Sequence, residues 1–181
     1  IRDSNTTRPL DQWDEYLDAD TTDSLVYFPQ AFDPDPRKHQ GKTKKALLKE
    51  DAFHIMMLET DLNIPRATTG KTIEGRKQLE ANMTPKQCLE LLQKNPQYQH
   101  EQGLTPEAWM TLFLIELEKT DTAIDDDEGH GSVNYNLGGY FPVSGLVSLG
   151  GWYRGLAQVY LDRCGVSDQY SDFGSRFAVP V

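Results

Sequence analysis

Side chains that could carry out catalysis or bind a metal are scattered along this chain. Its four histidines form no paired zinc motif, and two cysteines, Cys88 and Cys164, are too few for a disulfide framework or a metal site. Gly-Lys-Thr at 41–43 and again at 70–72 is similar to the end of a phosphate-binding loop, but proline stands where the first glycine is required. We therefore expect no catalytic residue, no metal and no cofactor.

Two further groups of residues suggest chemistry less strongly. Asp125 to Glu128 is a run of four acids, but its spacing differs from that of an EF-hand calcium loop, so a solvated turn is the favoured interpretation. Cys164 lies beside Arg163, which favours ionisation of a thiol. However, no histidine lies nearby in sequence to act as its base. Neither group predicts an active site.

The end of the chain has an unusual composition. Residues 1–130 contain 10 Lys and 11 Glu, whereas residues 131–181 contain neither. A uniform chain would place about eight of them there. Exposed loops normally accept Lys and Glu readily, because long charged side chains cost little to expose. Something other than solubility has therefore determined the composition of this segment.

Net charge excludes several classes of partner. The chain carries −10, and all of it belongs to residues 1–130, since three arginines balance three aspartates in 131–181. This charge argues against nucleic acid or an anionic membrane as a partner of residues 1–130. No apolar run is long enough to cross a bilayer, so we expect no membrane-spanning segment. The compartment stays open.

The first half of the chain predicts an extended N-terminal region and a helix. Residues 1–43 are polar and rich in turns, which indicates an N-terminal arm or a first strand with a long loop. Within them, 13–17 predicts a short helix and 25–28 a strand. Apolar residues form a broad face over 44–59, which predicts the first long helix. A helical turn is expected near 77–80.

Capping residues predict the starts of two more helices. Thr84 is followed by Pro85 and Gln87, which is the pattern of a capping box. Thr105 with Pro106 repeats this start. An apolar stripe follows each cap, so both segments should pack against a core.

After the acidic run, the pattern changes to short apolar or alternating segments bounded by Gly or Ser. Segments 133–135, 140–143 and 146–147 predict strands, and 176–179 predicts a final strand that closes the core. Residues 153–173 have neither a helical nor a strand period and predict a loop. Helices followed by strands indicate an α+β domain rather than a doubly wound sheet.

The tail between Trp152 and Arg176 has the composition of a binding surface. Tyr and Arg carry much of the binding energy at protein interfaces, and Tyr mixed with Ser, Gly and Asp is typical of a paratope. Gly150 and Gly151 let the backbone pass close to a large indole. We expect Gly150, Gly151, Trp152 and Arg176 to be structural anchors of this tail. A disordered Gly-rich tail is the alternative.

The order of these elements resembles the C-type lectin fold. The resemblance rests on a capped helix at 84–94, a second helix that begins within 103–109, the Gly-Gly-Trp sequence at 150–152 and the ending at 174–179. More narrowly, the chain is similar to the formylglycine-generating-enzyme-like branch of that fold, which has a Gly-Gly core motif and a terminal Gly-x-Arg strand. The resemblance implies two or three helices packed on short, mostly antiparallel strands with long loops, in a domain spanning 44–181.

Within that branch, the chain resembles the variable proteins of diversity-generating retroelements, particularly the archaeal type. In that family a reverse transcriptase copies a template with errors at adenines and rewrites the C-terminal end of a displayed lectin-fold protein. Randomised AAC codons never encode Lys, Glu, Gln, Met or Trp. Residues 153–173 fit this rule, provided that Gln158 and Gln169 are fixed by the template.

The resemblance implies a ligand-binding protein and not an enzyme. Its variable segment would be about 146–173, its partner an unknown ligand such as a protein on another cell or virus surface, and its own location a cell surface or virion. The implied variable, ligand-binding positions are Tyr153, Gly155, Leu156, Tyr160, Asp162, Arg163, Cys164, Gly165, Val166, Ser167, Tyr170, Ser171, Asp172 and Phe173.

Two alternatives stay open. An oxygen-using cysteine oxidase of the same branch would need two nearby cysteines to bind copper, and Cys88 on a helix with Cys164 in a loop make a poor pair. A phage or surface adhesin that does not vary would bind carbohydrate with calcium, but the sequence contains no Glu-Pro-Asn or Gln-Pro-Asp sugar motif.

Overall fold

A computed structural model shows an α+β fold in the part of the chain that it describes. Helices pack against mostly antiparallel sheets, which confirms the predicted fold class at that level. No helix among the described residues is long and apolar enough to cross a membrane. The short helix predicted at 13–17 lies outside these residues, which are 24–47, 56–59, 61–73, 75–128 and 131–180.

Both predicted helix caps are confirmed. Thr84 forms a capping box, in which its hydroxyl accepts from the Gln87 amide and the Gln87 side chain accepts from the Thr84 amide. Thr105 accepts from the amide of Ala108 at 3.1 Å. The α-helices of the described residues are α1 (Pro36–His39), α2 (Lys44–Leu47), α3 (Pro85–Lys94) and α4 (Pro106–Thr120).

The strands form one central sheet and two small ones. In chain order they are β1 (Val26–Tyr27), β2 (Met56–Leu58), β3 (Thr72–Ile73), β4 (Arg76–Lys77), β5 (Gln102–Gly103), β6 (Val133–Phe141), β7 (Leu146–Tyr153), β8 (Gln158–Gly165), β9 (Phe173–Gly174) and β10 (Phe177–Pro180). The central sheet has the order β1-β6-β7-β8, and β9 pairs parallel with β6. β10 lies between β2 and β5 in a second sheet, and β3 pairs with β4 in a third.

Two helical predictions in the first half are wrong. The helix expected over 44–59 includes only α2 among the described residues, and residues 48–55 lie outside them. At its end, β2 forms instead, because its residues pair with β10 from Ala178↔Leu58 to Pro180↔Met56. The turn expected near 77–80 begins within β4, which pairs with β3. Pairing with another strand overrides the local pattern at both places.

The loop predicted over 153–173 is also partly wrong, since it contains β8. Every residue of β8 pairs with β7, from Leu146↔Gly165 to Tyr153↔Gln158. Among the described residues, β8 has a partner strand on one side only. On that strand, the amides of Arg163 and Gly165 donate to the carboxylates of Asp162 and Asp168, each at 2.8 Å. Side chains thus bind backbone groups that a further strand would need.

The hydrophobic core lies on both sides of the β7–β8 hairpin. One buried cluster joins Cys88 of α3 with Val147 of β7 and Cys164 of β8. The other joins Trp109 of α4 with Val159 of β8. Strand alternation places these two sets on opposite faces. Core clusters that include residues of α3 and of α4 therefore cover opposite faces of the hairpin, which carries most of the predicted variable segment.

Candidate ligand-binding face

Arg176 anchors the C-terminal strand to the centre of the fold. Its buried guanidinium forms a two-pronged ion pair with Asp125, in which Nε and Nη2 each lie 2.9 Å from a carboxylate oxygen. The same carboxylate accepts from Trp109 Nε1 at 2.8 Å and from Ser132 Oγ at 2.9 Å. One carboxylate thus connects helix α4 with the segments that lead into β6 and β10.

The acidic run is part of this anchor, which corrects the prediction of a solvated turn. Asp125 and Asp126 are both buried, and each has a cation. Asp125 pairs with Arg176, 51 positions later in the chain. Asp126 pairs with Arg154, whose Nε donates to it at 2.8 Å. Buried carboxylates need such partners, because an unpaired charge in the interior is costly.

The acidic run also fixes the turn between β7 and β8. The amide of Trp152 donates to the carbonyl of Asp125 at 2.8 Å, and the amide of Asp127 donates to the carbonyl of Trp152 at 3.0 Å. In the turn itself, the amide of Gly155 donates to Glu128 Oε1 at 3.0 Å. Residues 125–128, in the loop that precedes β6, therefore hold the exposed turn in place through these hydrogen bonds.

The glycine pair of β7 allows close packing on both faces of the sheet. A Cβ atom on Gly150 would lie 2.5 Å from ring carbons of Trp109, and one on Gly151 would lie 2.7 Å from the hydroxyl of Tyr160. The indole that the backbone approaches is thus that of Trp109 in α4. Trp152, which directly follows the pair, stacks on a phenylalanine of α4 with ring centroids 5.8 Å apart.

The predicted variable positions divide by exposure. Seven are exposed, in the turn, on β8 and in the following loop: Tyr153, Gly155, Leu156, Asp162, Ser167, Tyr170 and Ser171. Six are partly buried, namely Tyr160, Arg163, Gly165, Val166, Asp172 and Phe173. Some of these contribute to packing. Phe173 contacts the ring of Tyr135 with centroids 5.8 Å apart, and the guanidinium of Arg163 lies 3.9 Å from the ring centroid of Phe141.

Cys164, one of the predicted ligand-binding positions, is buried. It lies on β8 and not in a loop, and its side chain belongs to the same core cluster as Cys88. Burial raises the pKa of Cys164 to about 12, and the charges of Asp168 and Asp162 add to this effect. Burial also raises the pKa of Cys88 to about 12. Both free thiols are therefore protonated and shielded near neutral pH.

Tyr160 and Asp127 form a partly buried polar pair beside the turn. Burial raises the pKa of Asp127, and the charges of Asp126, Glu128 and Asp172 raise it further, while the Tyr160 hydroxyl lowers it. Burial raises the pKa of Tyr160, and Asp127, Asp162 and Asp172 raise it further. The acidic run was the sequence signal for this pair. Its interpretation as a solvated turn gave Asp127 no role.

We refer to residues 126–128, 153–157, 160–162 and 166–172 as the binding face. The hydrogen bond from Gly155 to Glu128 connects its turn to the acidic run, and Tyr160 beside Asp127 continues it along β8. The backbone of its turn and of β8 is fixed by strand pairing and by the acidic run, and the loop after β8 is tied to α3, whose Lys86 amide donates to the carbonyl of Val166 at 3.1 Å. Such a surface suits non-covalent recognition, because little ordering remains to be done on binding.

The described residues include no group of three or more His, Cys, Asp or Glu side chains arranged to hold a metal ion. Comparisons of this chain with known protein families, with curated proteins and with solved structures find no significant match.

Proposed function

We propose that this protein binds other proteins through a C-terminal face that a diversity-generating retroelement rewrites. Its scaffold would be a C-type lectin-like fold of the formylglycine-generating-enzyme-like branch. The observation that carries the proposal is the position of the seven exposed residues of the predicted variable segment. They lie in the β7–β8 turn, on β8 and in the loop after it, between elements fixed in the core. Substitutions at exposed positions usually change stability little.

Composition supports the same proposal. The exposed positions between 153 and 171 have room for long charged side chains, so burial does not explain why that stretch contains no Lys and no Glu. A codon set that cannot encode these residues does explain it within the rewritten segment. The absence is informative because exposed loops otherwise accept both residues.

Burial of the thiols gives the cysteine-oxidase alternative little support. Such an enzyme would need two nearby thiols to bind copper. Cys88 and Cys164 belong to one core cluster, but burial raises the pKa of both thiols to about 12, which disfavours the thiolates that bind a metal. An adhesin that does not vary would use the same face, and the gene sequences distinguish it from the proposed protein. In our proposal the protein is displayed on a cell or virion surface and meets a protein on another surface.

Sequencing of sister copies of the gene tests the proposal. Substitutions should concentrate at the seven exposed positions predicted to vary and be rare in β6, which is buried along its whole length and serves as the internal control. A near-copy of the codons for this tail, differing at adenines, should lie beside a reverse transcriptase gene. Differences spread evenly over residues 1–181 would contradict the proposal, and an invariant face would favour the adhesin.

A further inference from the structure

The binding face exposes large apolar side chains that the fold does not use. Tyr153 is 42% exposed, Leu156 is 66% exposed and Tyr170 is 49% exposed. Tyr153 and Leu156 lie in the turn that Glu128 holds, and Tyr170 lies in the loop after β8. Exposed aromatic and aliphatic side chains on a fixed backbone are typical of protein-binding surfaces.

The charge of the same face is strongly one-sided. By sequence it contains six carboxylates, at positions 126, 127, 128, 162, 168 and 172, but a single guanidinium, that of Arg154. Arg154 is already paired with Asp126. Arg66 is a further cation beside the face, and its Nη1 lies 4.0 Å from Asp172. After these two ion pairs the face still has more carboxylates than cations, even when Asp162 is not counted.

The carboxylates surround the apolar side chains closely enough to act on the same partner. Glu128 Oε1 accepts from Gly155, which lies between Tyr153 and Leu156 in the turn. Asp172 is close enough to Asp127 for its charge to act on that carboxyl group. It also precedes Phe173, whose ring contacts Tyr170 with centroids 4.6 Å apart. A partner that covers the aromatic side chains would therefore also meet these charges.

We propose that, in this copy of the protein, the binding face recognises a lysine- or arginine-rich segment of a protein partner. The inference rests on the proposed function, because it specifies what the present version of the variable face binds. Basic side chains would pair with the carboxylates, and their aliphatic stems and neighbouring apolar residues would pack on Tyr153, Leu156 and Tyr170. Tyrosine rings also attract cations through their faces.

Selection from a random 12-residue peptide library displayed on phage tests this proposal directly. Peptides recovered on the whole chain should contain several-fold more Lys and Arg than the input library. Their binding should weaken as ionic strength rises from about 0.05 to 0.5 M, because salt screens exposed charges. For a selected peptide, the double variant Glu128→Gln/Asp172→Asn should bind on the order of tenfold more weakly. Glu118→Gln, on an exposed position of α4, is the matched control.

Three outcomes would overturn the inference. Selected peptides without basic enrichment, or binding that the double variant leaves unchanged, would show that charge does not determine the partner. A dimer in solution that Leu156→Ser dissociates would show that a second copy occupies the face. None of these results decides whether the face is rewritten, since that is tested by the gene sequences. A failure of this inference is therefore distinguishable from a failure of the proposed function.

Discussion

Replacement of Asp125 by Asn should lower the free energy of unfolding far more than replacement of Asp126 by Asn. Asp125 is fully buried and Arg176 is 5% exposed. Loss of the carboxylate charge would leave that guanidinium in the interior with neutral acceptors, such as the carbonyl oxygen of Leu62, 3.0 Å away. Removing one member of a buried pair typically costs about 3–5 kcal/mol. We expect Asp125→Asn to lower the free energy of unfolding by that amount.

Asp126→Asn is the matched control. Its partner Arg154 has a side chain that is 67% exposed, so solvent can replace the lost ion pair. Pairs of that kind are worth about 0–1 kcal/mol. Urea denaturation followed by tryptophan fluorescence measures both variants, provided that the slope against urea concentration is unchanged. Equal losses for Asp125→Asn and Asp126→Asn would refute the reasoning.

A double variant separates charge burial from general damage to the site. In Asp125→Asn/Arg176→Met no unpaired charge remains in the core, so part of the stability lost in Asp125→Asn should return. If the double variant were less stable than Asp125→Asn by the full cost of a second core mutation, the loss would come from packing and hydrogen bonds instead.

The remaining predictions concern glycines, one carboxylate and the thiols. Gly150→Ala should lower the unfolding free energy by about 1–3 kcal/mol, because the new methyl group would overlap the buried indole of α4, whereas Gly155→Ala should change it by less than about 0.5 kcal/mol. Asp127→Asn should stabilise the protein at neutral pH. Burial raises the pKa of Asp127, so its ionised form disfavours folding, and the gain should shrink as pH falls through that raised pKa towards 3.8; a gain that grows on acidification would contradict this. Cys88 and Cys164 should resist Ellman's reagent near pH 8 in the native protein and react when it is unfolded, since burial raises both pKa values to about 12.

Local signals in the sequence were enough to predict the two long helices. A cap depends on residues three positions apart, as in Thr84 with Gln87, and such contacts are encoded by neighbours in the chain. The α+β class followed from the order of helices and strands. Both predictions needed no knowledge of distant partners.

Predictions failed where a distant partner decides the structure. Met56–Leu58 look helical, but they are a strand because β10 pairs with them from the far end of the chain. Asp125 looks solvated in a run of acids, but Arg176 pairs with it across 51 positions. Cys164 sits among polar residues, and only the register of β8 against β7 shows that its side chain points into the core. Those pairings cannot be read from spacing alone.

If the C-terminal face is rewritten as proposed, the outer edge of β8 constrains every rewritten copy. The carboxylates of Asp162 and Asp168 bind the amides of Arg163 and Gly165, and both aspartates lie inside the segment proposed to vary. A copy that encodes an apolar residue at position 162, which is predicted to vary, loses the carboxylate that binds the Arg163 amide on this edge strand, where a neighbouring molecule can add its own strand. Selection for binding to new partners would then also be selection against aggregation through this edge. It should favour a short polar side chain at that position whatever partner is bound.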